Sequence, residues 1–240
     1  MLQPSDPAGD SIRRGARQRR AAPAAARWWA RASGLALLGF LLAGCSQTSR
    51  DIFREATRSR GPVDIDAQQV LASPYARIKV DGPGFSGVLV LGNDDDGRLS
   101  WYSNRRHVVF LRDGLLAGSE GLREDADEIR ILGDNPFLRL AAMDDVPVKV
   151  ARRYDWRTGY RYGVPVTGQL RRRGVEPVEI LGTVRQLVRF EETLDGPGVR
   201  ARNDYWADPD TGFIWKSRQL LAPGTHLEIV QLKPYLAPAR

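Results

Sequence analysis

From Pro74 onward, Gly or Pro interrupts the chain about every eight to twelve residues, and the stretches between are short apolar runs or alternate apolar with polar side chains. Helices of ordinary length do not fit between such interruptions, whereas strands of five or six residues do. The pattern predicts strands at 76–80, 87–91, 99–103, 107–111 and 115–117. Further strands are predicted at 148–156, 160–170, 178–191, 199–207, 213–220 and 226–232. Arg112-Asp113-Gly114, Arg157-Thr158-Gly159 and Asp208-Pro209-Asp210-Thr211-Gly212 have the chemistry of hairpin turns. Hairpins imply antiparallel pairing, and about eleven strands exceed what a flat sheet accommodates. The expected fold is mainly β, with short N-terminal helices. Its body is a large, strongly curved antiparallel sheet, forming a partial barrel or two packed sheets over residues 66–240. The segment 122–132 alone reads as a weak helix.

The N-terminal part follows different rules. Residues 32–42 (ASGLALLGFLL) form an uncharged apolar run behind an Arg-rich segment. The run is too short for a transmembrane helix, which needs about twenty residues, and suits the apolar region of a signal peptide. Leu42-Ala43-Gly44-Cys45 follows directly and resembles the bacterial lipobox. That resemblance implies cleavage of a leader spanning 1–44, with Cys45 becoming the first residue and carrying a diacylglycerol and an N-acyl chain. No other cofactor is expected. Arg13-Arg14 and Arg19-Arg20 lack the surroundings of a twin-Arg export motif. Ser46, where inner-membrane retention favours Asp, implies the periplasmic face of the outer membrane. Residues 45–65 read as a lipidated tether with a short helix presenting Ile52, Phe53 and Ala56. Asp66 then caps a second short helix with Val70 and Leu71 on its apolar face, stopped by Pro74.

Charge must be located before it is interpreted. The formal net charge is +7, but seven of the 36 basic and two of the 29 acidic residues lie in 1–44. The remainder is only +2, which excludes a strong field for polyanions and argues against nucleic acid as a partner. A single Cys in the whole chain rules out an intramolecular disulfide.

The most distinctive stretch is NDYWADPDTGFIWKSRQ, from Asn203 to Gln219. Trp206 and Trp215 lie on opposite arms of its hairpin and are expected to pair across strands. This pattern, followed by an apolar strand and Leu232-Lys233-Pro234-Tyr235, resembles the YjbF/GfcB family of lipoproteins linked to group 4 capsule and exopolysaccharide production. The segment 70–91 with the GVLVLGN run that carries it on to Asn93, Trp101, the Leu111-Arg112-Asp113-Gly114 turn and the Gly121-Leu122 pair agree with it, while Leu115-Leu116-Ala117-Gly118 departs from the Gly-Arg turn expected there. The resemblance covers roughly 66–235 and implies secretion or assembly of surface polysaccharide. It carries over no catalytic residues.

The residues themselves offer little catalytic chemistry. His107 and His226 lie in separate predicted strands, without a Cys partner or metal-ligand spacing. No G-x-S-x-G elbow is present. Asp94-Asp95-Asp96 reads as a polar turn, Glu191-Glu192 as charges at a strand end, and Arg171-Arg172-Arg173 as a solvated loop. Trp101, Trp156, Tyr160 and Tyr162 are candidate platforms for sugar rings, the last three beside one turn. The leading expectation is a non-enzymatic outer-membrane accessory protein for capsule or exopolysaccharide, touching membrane lipid, glycan and secretion proteins. Two alternatives are a carrier for lipid or acylated ligands in a curved-sheet cavity, and a polysaccharide-modifying enzyme with two facing carboxylates.

Overall fold

The computed structural model describes residues 65–236, so the leader, Cys45 and the tether helix lie outside the described residues. Twelve strands follow one short helix, α1 (Ala67–Ala72). They are β1 (Arg77–Gly82), β2 (Phe85–Asp95), β3 (Arg98–Tyr102), β4 (Val108–Arg112), β5 (Leu115–Glu120) and β6 (Ala126–Leu132). After a 3-10 segment at Pro136–Ala142 come β7 (Val148–Trp156), β8 (Arg161–Ile180), β9 (Thr183–Gly196), β10 (Val199–Ala207), β11 (Ile214–Ala222) and β12 (Thr225–Lys233).

All twelve belong to one antiparallel sheet, ordered β5-β4-β3-β2-β1-β12-β11-β10-β9-β8-β7-β6. Every neighbour in that order is also a neighbour in sequence, except the β1–β12 pair that joins the two ends of the described chain. The sheet curls into a nearly closed barrel, as the strand count requires. The unpaired edges are β5 and β6, which are consecutive in sequence. They form a seam rather than an open side: a Cβ at Gly118 would lie 3.0 Å from the Ala126 carbonyl oxygen and 3.1 Å from that of Asp127. Asn135 Nδ2 donates to Asp113 Oδ2 across one end of the seam, at 3.4 Å.

Period-two alternation sets the inner face. Ile78 and Val80 of β1, Leu89 of β2, and Leu227 and Ile229 of β12 meet in the larger apolar cluster with Trp101, Tyr154 and Trp156. A second cluster holds Phe137, Leu140, Val150, Leu170, Phe190, Tyr205 and Ile214. Strand β8 changes faces partway. Val164, Val166 and Leu170 are buried inside, but a bulge between Arg172 and Val175 reverses the parity. Beyond it Glu176 accepts from the Trp206 indole N–H (2.9 Å), Arg185 lies 3.8 Å over the Trp215 ring, and Ile180 packs with Leu232 and Val70. The far half of the β8–β9 hairpin thus lies across the outer face of β10, β11 and β12.

Helix α1 completes that outer cluster. Asp66 Oδ1 accepts from the Gln68 and Gln69 amides (2.9 and 3.2 Å), and Lys233 Nζ donates to the Leu71 carbonyl (3.0 Å) and to that of Ser73. Val70 is buried as expected; Leu71 is 60% exposed and is not part of the packed face.

Several expectations need correction. The segment 122–132 contains strand β6, not a helix. Its register shifts between Ala126 and Glu128, so the buried Ala126 and Ile129 stand three apart and imitate helical spacing. The segment 178–191 is two strands, divided at Leu181-Gly182, where φ is +50° and +76°. That is the conformation of a tight hairpin turn. Arg171, Arg172 and Arg173 lie within β8 rather than in a loop. Trp206 stands opposite Lys216, not Trp215, because the β10–β11 register shifts after Trp206. Both indoles are partly exposed on the outside: Trp206 beneath Arg189 and Lys216, Trp215 against Phe213 and Arg185.

Candidate functional site

The inner face carries one concentrated polar feature. Arg152 of β7 and Glu192 of β9 are 2% and 0% exposed, yet they lie among apolar residues. They sit on strands separated by β8, and long side chains can meet there because the intervening residue is Gly168. A Cβ on Gly168 would stand 2.2 Å from Glu192 Oε1. The guanidinium and carboxylate form a two-pronged pair, Nε to Oε1 at 2.7 Å and Nη2 to Oε2 at 2.9 Å. Tyr205 OH donates to Glu192 Oε2 (2.8 Å), and Asn203 Nδ2 donates to the same oxygen (3.1 Å). Asn203 Oδ1 in turn accepts from the Leu220 amide at 2.7 Å.

This geometry fixes protonation. Burial is the largest single influence on the Arg152 guanidinium and lowers its basicity, but the Glu192 charge and hydrogen bond together with Tyr205 and Tyr154 outweigh it and hold Arg152 above its ordinary value. Burial pushes the Tyr154 hydroxyl up to about 12 and raises Tyr205 well above the usual phenol range. Both hydroxyls therefore stay protonated, and Tyr205 donates to Glu192. Glu192 accepts four bonds, so both of its carboxylate oxygens are engaged within the network. Reading Glu191-Glu192 as strand-end charges is corrected here: β9 continues to Gly196, and Glu192 points inward. A signal was present in the sequence. Phe190, Glu192 and Leu194 alternate on one face, as do Val150, Arg152 and Tyr154, so each apolar face carries one opposite charge.

The aromatic candidates separate into two groups. Trp101 and Trp156 are each 1% exposed and belong to the core, so neither ring face can receive a sugar. Trp156 Nε1 donates to the Leu221 carbonyl (2.7 Å), and its ring stacks on Tyr154 at 5.0 Å. Tyr160 and Tyr162, by contrast, are 85% and 54% exposed. Tyr162 OH donates to Asp127 Oδ2 (3.2 Å), and Arg157 grips Oδ1 of the same carboxylate, which steadies this hairpin against β6. The structure thus places Tyr160 and Tyr162 together at the surface, away from the two tryptophans.

The remaining polar motifs are structural. Asp94 Oδ1 accepts from the Gly97 amide (2.8 Å) and closes its turn. Asp208 accepts from the Thr211 and Asp210 amides, and the Thr211 amide chiefly holds its carboxyl below the usual range. His107 packs on Phe85 at 4.6 Å, and His226 donates to the Arg202 carbonyl at 3.1 Å. Among the described residues no group of three or more His, Cys, Asp or Glu could hold a metal ion. No described helix is long and apolar enough to cross a membrane.

Pockets open at the surface of the described barrel. One, of about 300 Å³, is lined by Phe85, Leu122, Leu221 and Leu227 with Arg123 and Glu124. Another, of about 180 Å³, opens at the seam and is lined by residues of both edge strands, Arg98, Arg112 and Arg152.

Fold and site together define a class: a nearly closed, up-and-down antiparallel barrel with an apolar core and, among the described residues, an ion pair buried on both sides. Comparison with known proteins supplies the family. Residues 48–232 match the family described as group 4 capsule polysaccharide lipoprotein GfcB, YjbF, and the chain belongs to that family. It is 24% identical over 208 residues to the uncharacterized lipoprotein GfcB of Escherichia coli K12, spanning 83% of this chain and 97% of the relative. The crystal structure of the hypothetical lipoprotein YmcC from E. coli K12 has the same fold, with a TM-score of 0.65 and 23% identity. That similarity covers 78% of this chain and 96% of the other.

Proposed function

We propose that this protein is an outer-membrane lipoprotein, acylated at Cys45, that serves capsule or exopolysaccharide assembly or export as a non-enzymatic accessory factor. Membership of a capsule polysaccharide lipoprotein family carries the reading. The buried network supports a scaffold role, because its one inward carboxylate is fully engaged by Arg152, Tyr205 and Asn203. The Tyr160–Tyr162 hairpin is the surface best suited to glycan or secretion proteins, since exposed phenol rings offer flat apolar faces with polar tips. Lipid on Cys45 would hold the barrel at the membrane; stable anchoring takes more than one acyl chain.

The test has two arms. Deleting the gene should reduce surface polysaccharide or strand it inside the envelope. Cys45→Ser should release the protein from the outer-membrane fraction and reproduce the deletion. Unchanged amount and location of polysaccharide in the deletion would refute the accessory role.

A further inference from the structure

We propose that the seam pocket between β5 and β6 is a binding site for the carboxylate of an acidic sugar residue. Four arginines line it: Arg98 and Arg112 from the β3–β4 side, and Arg130 and Arg152 from the β6–β7 side. Asp113 and Glu128 are the two acids in the lining. Neither neutralises Arg98 or Arg112. Asp113 meets Asn135, and Glu128 is shared between Arg130 (3.5 Å) and Arg153 (3.3 Å).

Arg98 and Arg112 are direct partners across the β3–β4 ladder, and like charges so placed repel. Their contacts are with an aromatic face and a carbonyl, not a carboxylate. Arg98 lies 3.9 Å over the Phe110 ring, and Arg112 Nη1 donates to the Asp96 carbonyl at 2.8 Å. An anion seated between the two sides would relieve that repulsion. Arg152 adds a rigid wall, because Glu192 and Tyr205 together occupy its Nε and Nη2 and leave Nη1 as its remaining donor. A planar guanidinium fork matches a carboxylate better than it matches a neutral hydroxyl.

Size and setting restrict the ligand further. A volume of about 180 Å³ holds about six waters' worth of matter, which suits one sugar residue rather than a polymer segment. The pocket also borders two edge strands, whose outward N–H and C=O groups lie outside the ladder and can meet sugar hydroxyls. The anion site follows from the arginines alone. The choice of a sugar acid over other carboxylates rests on the polysaccharide role proposed above.

Isothermal titration of the purified full chain with glucuronate, glucose and inorganic phosphate tests this. Glucuronate should bind, glucose should not, and phosphate should bind more weakly than glucuronate. Arg112→Gln and Arg130→Gln, both on exposed side chains, should each weaken glucuronate by roughly tenfold while thermal unfolding stays unchanged. If either variant unfolds, Arg98→Gln takes its place. Absent glucuronate binding, or binding indifferent to these arginines, overturns the site. Equal binding of phosphate and glucuronate overturns the sugar-acid assignment. A deletion strain with normal polysaccharide would refute the accessory role while leaving an arginine-dependent glucuronate site intact, so the two readings fail separately.

Discussion

Replacing Glu192 by Gln removes the one negative charge that neutralises Arg152 inside the barrel. The guanidinium cannot respond by losing its proton, because its basicity lies far above any working pH. Glu192 accepts two bonds from Arg152 and one each from Tyr205 and Asn203, and the Gln amide can offer only its oxygen as an acceptor. Breaking a buried ion pair from one side costs about 3–5 kcal/mol. For a domain of this size each kcal/mol lowers Tm by about 2–4 °C, so the loss should fall between roughly 6 and 20 °C. Urea denaturation should show the same loss as a lower midpoint at an unchanged slope. The double variant Arg152→Leu with Glu192→Leu sharpens the test. It removes both charges, and Asn203 Nδ2 can still donate to Tyr205 OH, as it does already at 3.1 Å. The double variant should therefore be more stable than Glu192→Gln, since an apolar replacement of a whole buried pair is often neutral. A Glu192→Gln loss below about 1 kcal/mol, or single-variant losses that add up to that of the double, would refute the argument.

Two other perturbations probe the seam and the acid sensitivity. Gly118→Val would drive a side chain into the Ala126 and Asp127 carbonyls at 3.0 and 3.1 Å, and overpacking of this kind costs about 1–3 kcal/mol. Amide exchange in β5 and β6 should accelerate, and unchanged protection there would show that the edges do not depend on each other. His226 is held below its usual value by burial first and then by Arg218, against the Arg202 carbonyl and Asp204. The folded state thus keeps it neutral, while the unfolded chain takes up a proton near pH 6.5. Its contribution to stability is present above that pH and is lost as the pH falls toward the depressed folded value. His226→Gln should therefore lose less stability than the parent between pH 7 and pH 5; equal losses by urea titration would contradict this.

Local chemistry made much of this protein legible from the chain alone. The Gly and Pro spacing gave the strand pattern, because turns need those residues wherever the chain reverses. Asp66 announced its helix, since a short acceptor side chain at that position satisfies free amides. The Asp208–Gly212 turn and the aromatic stretch around it led to the family that the match over residues 48–232 then showed. The proposed lipidation at Cys45 rests on a contiguous motif too, outside the described residues.

What only the tertiary structure decided are relations between distant strands. A bulge in β6 imitated helical spacing, and another in β8 turned the arm of that hairpin outward. Trp101 and Trp156 read as possible sugar platforms until the curled sheet enclosed them. Arg152 and Glu192 stand 40 positions apart, and nothing local to either marks the other as its partner. Their meeting depends on strand order, on register, and on a missing side chain at Gly168 in the strand between them. Turns and caps are set by neighbours along the chain, whereas a buried charge pair exists only after the sheet has fixed which residues face each other across it.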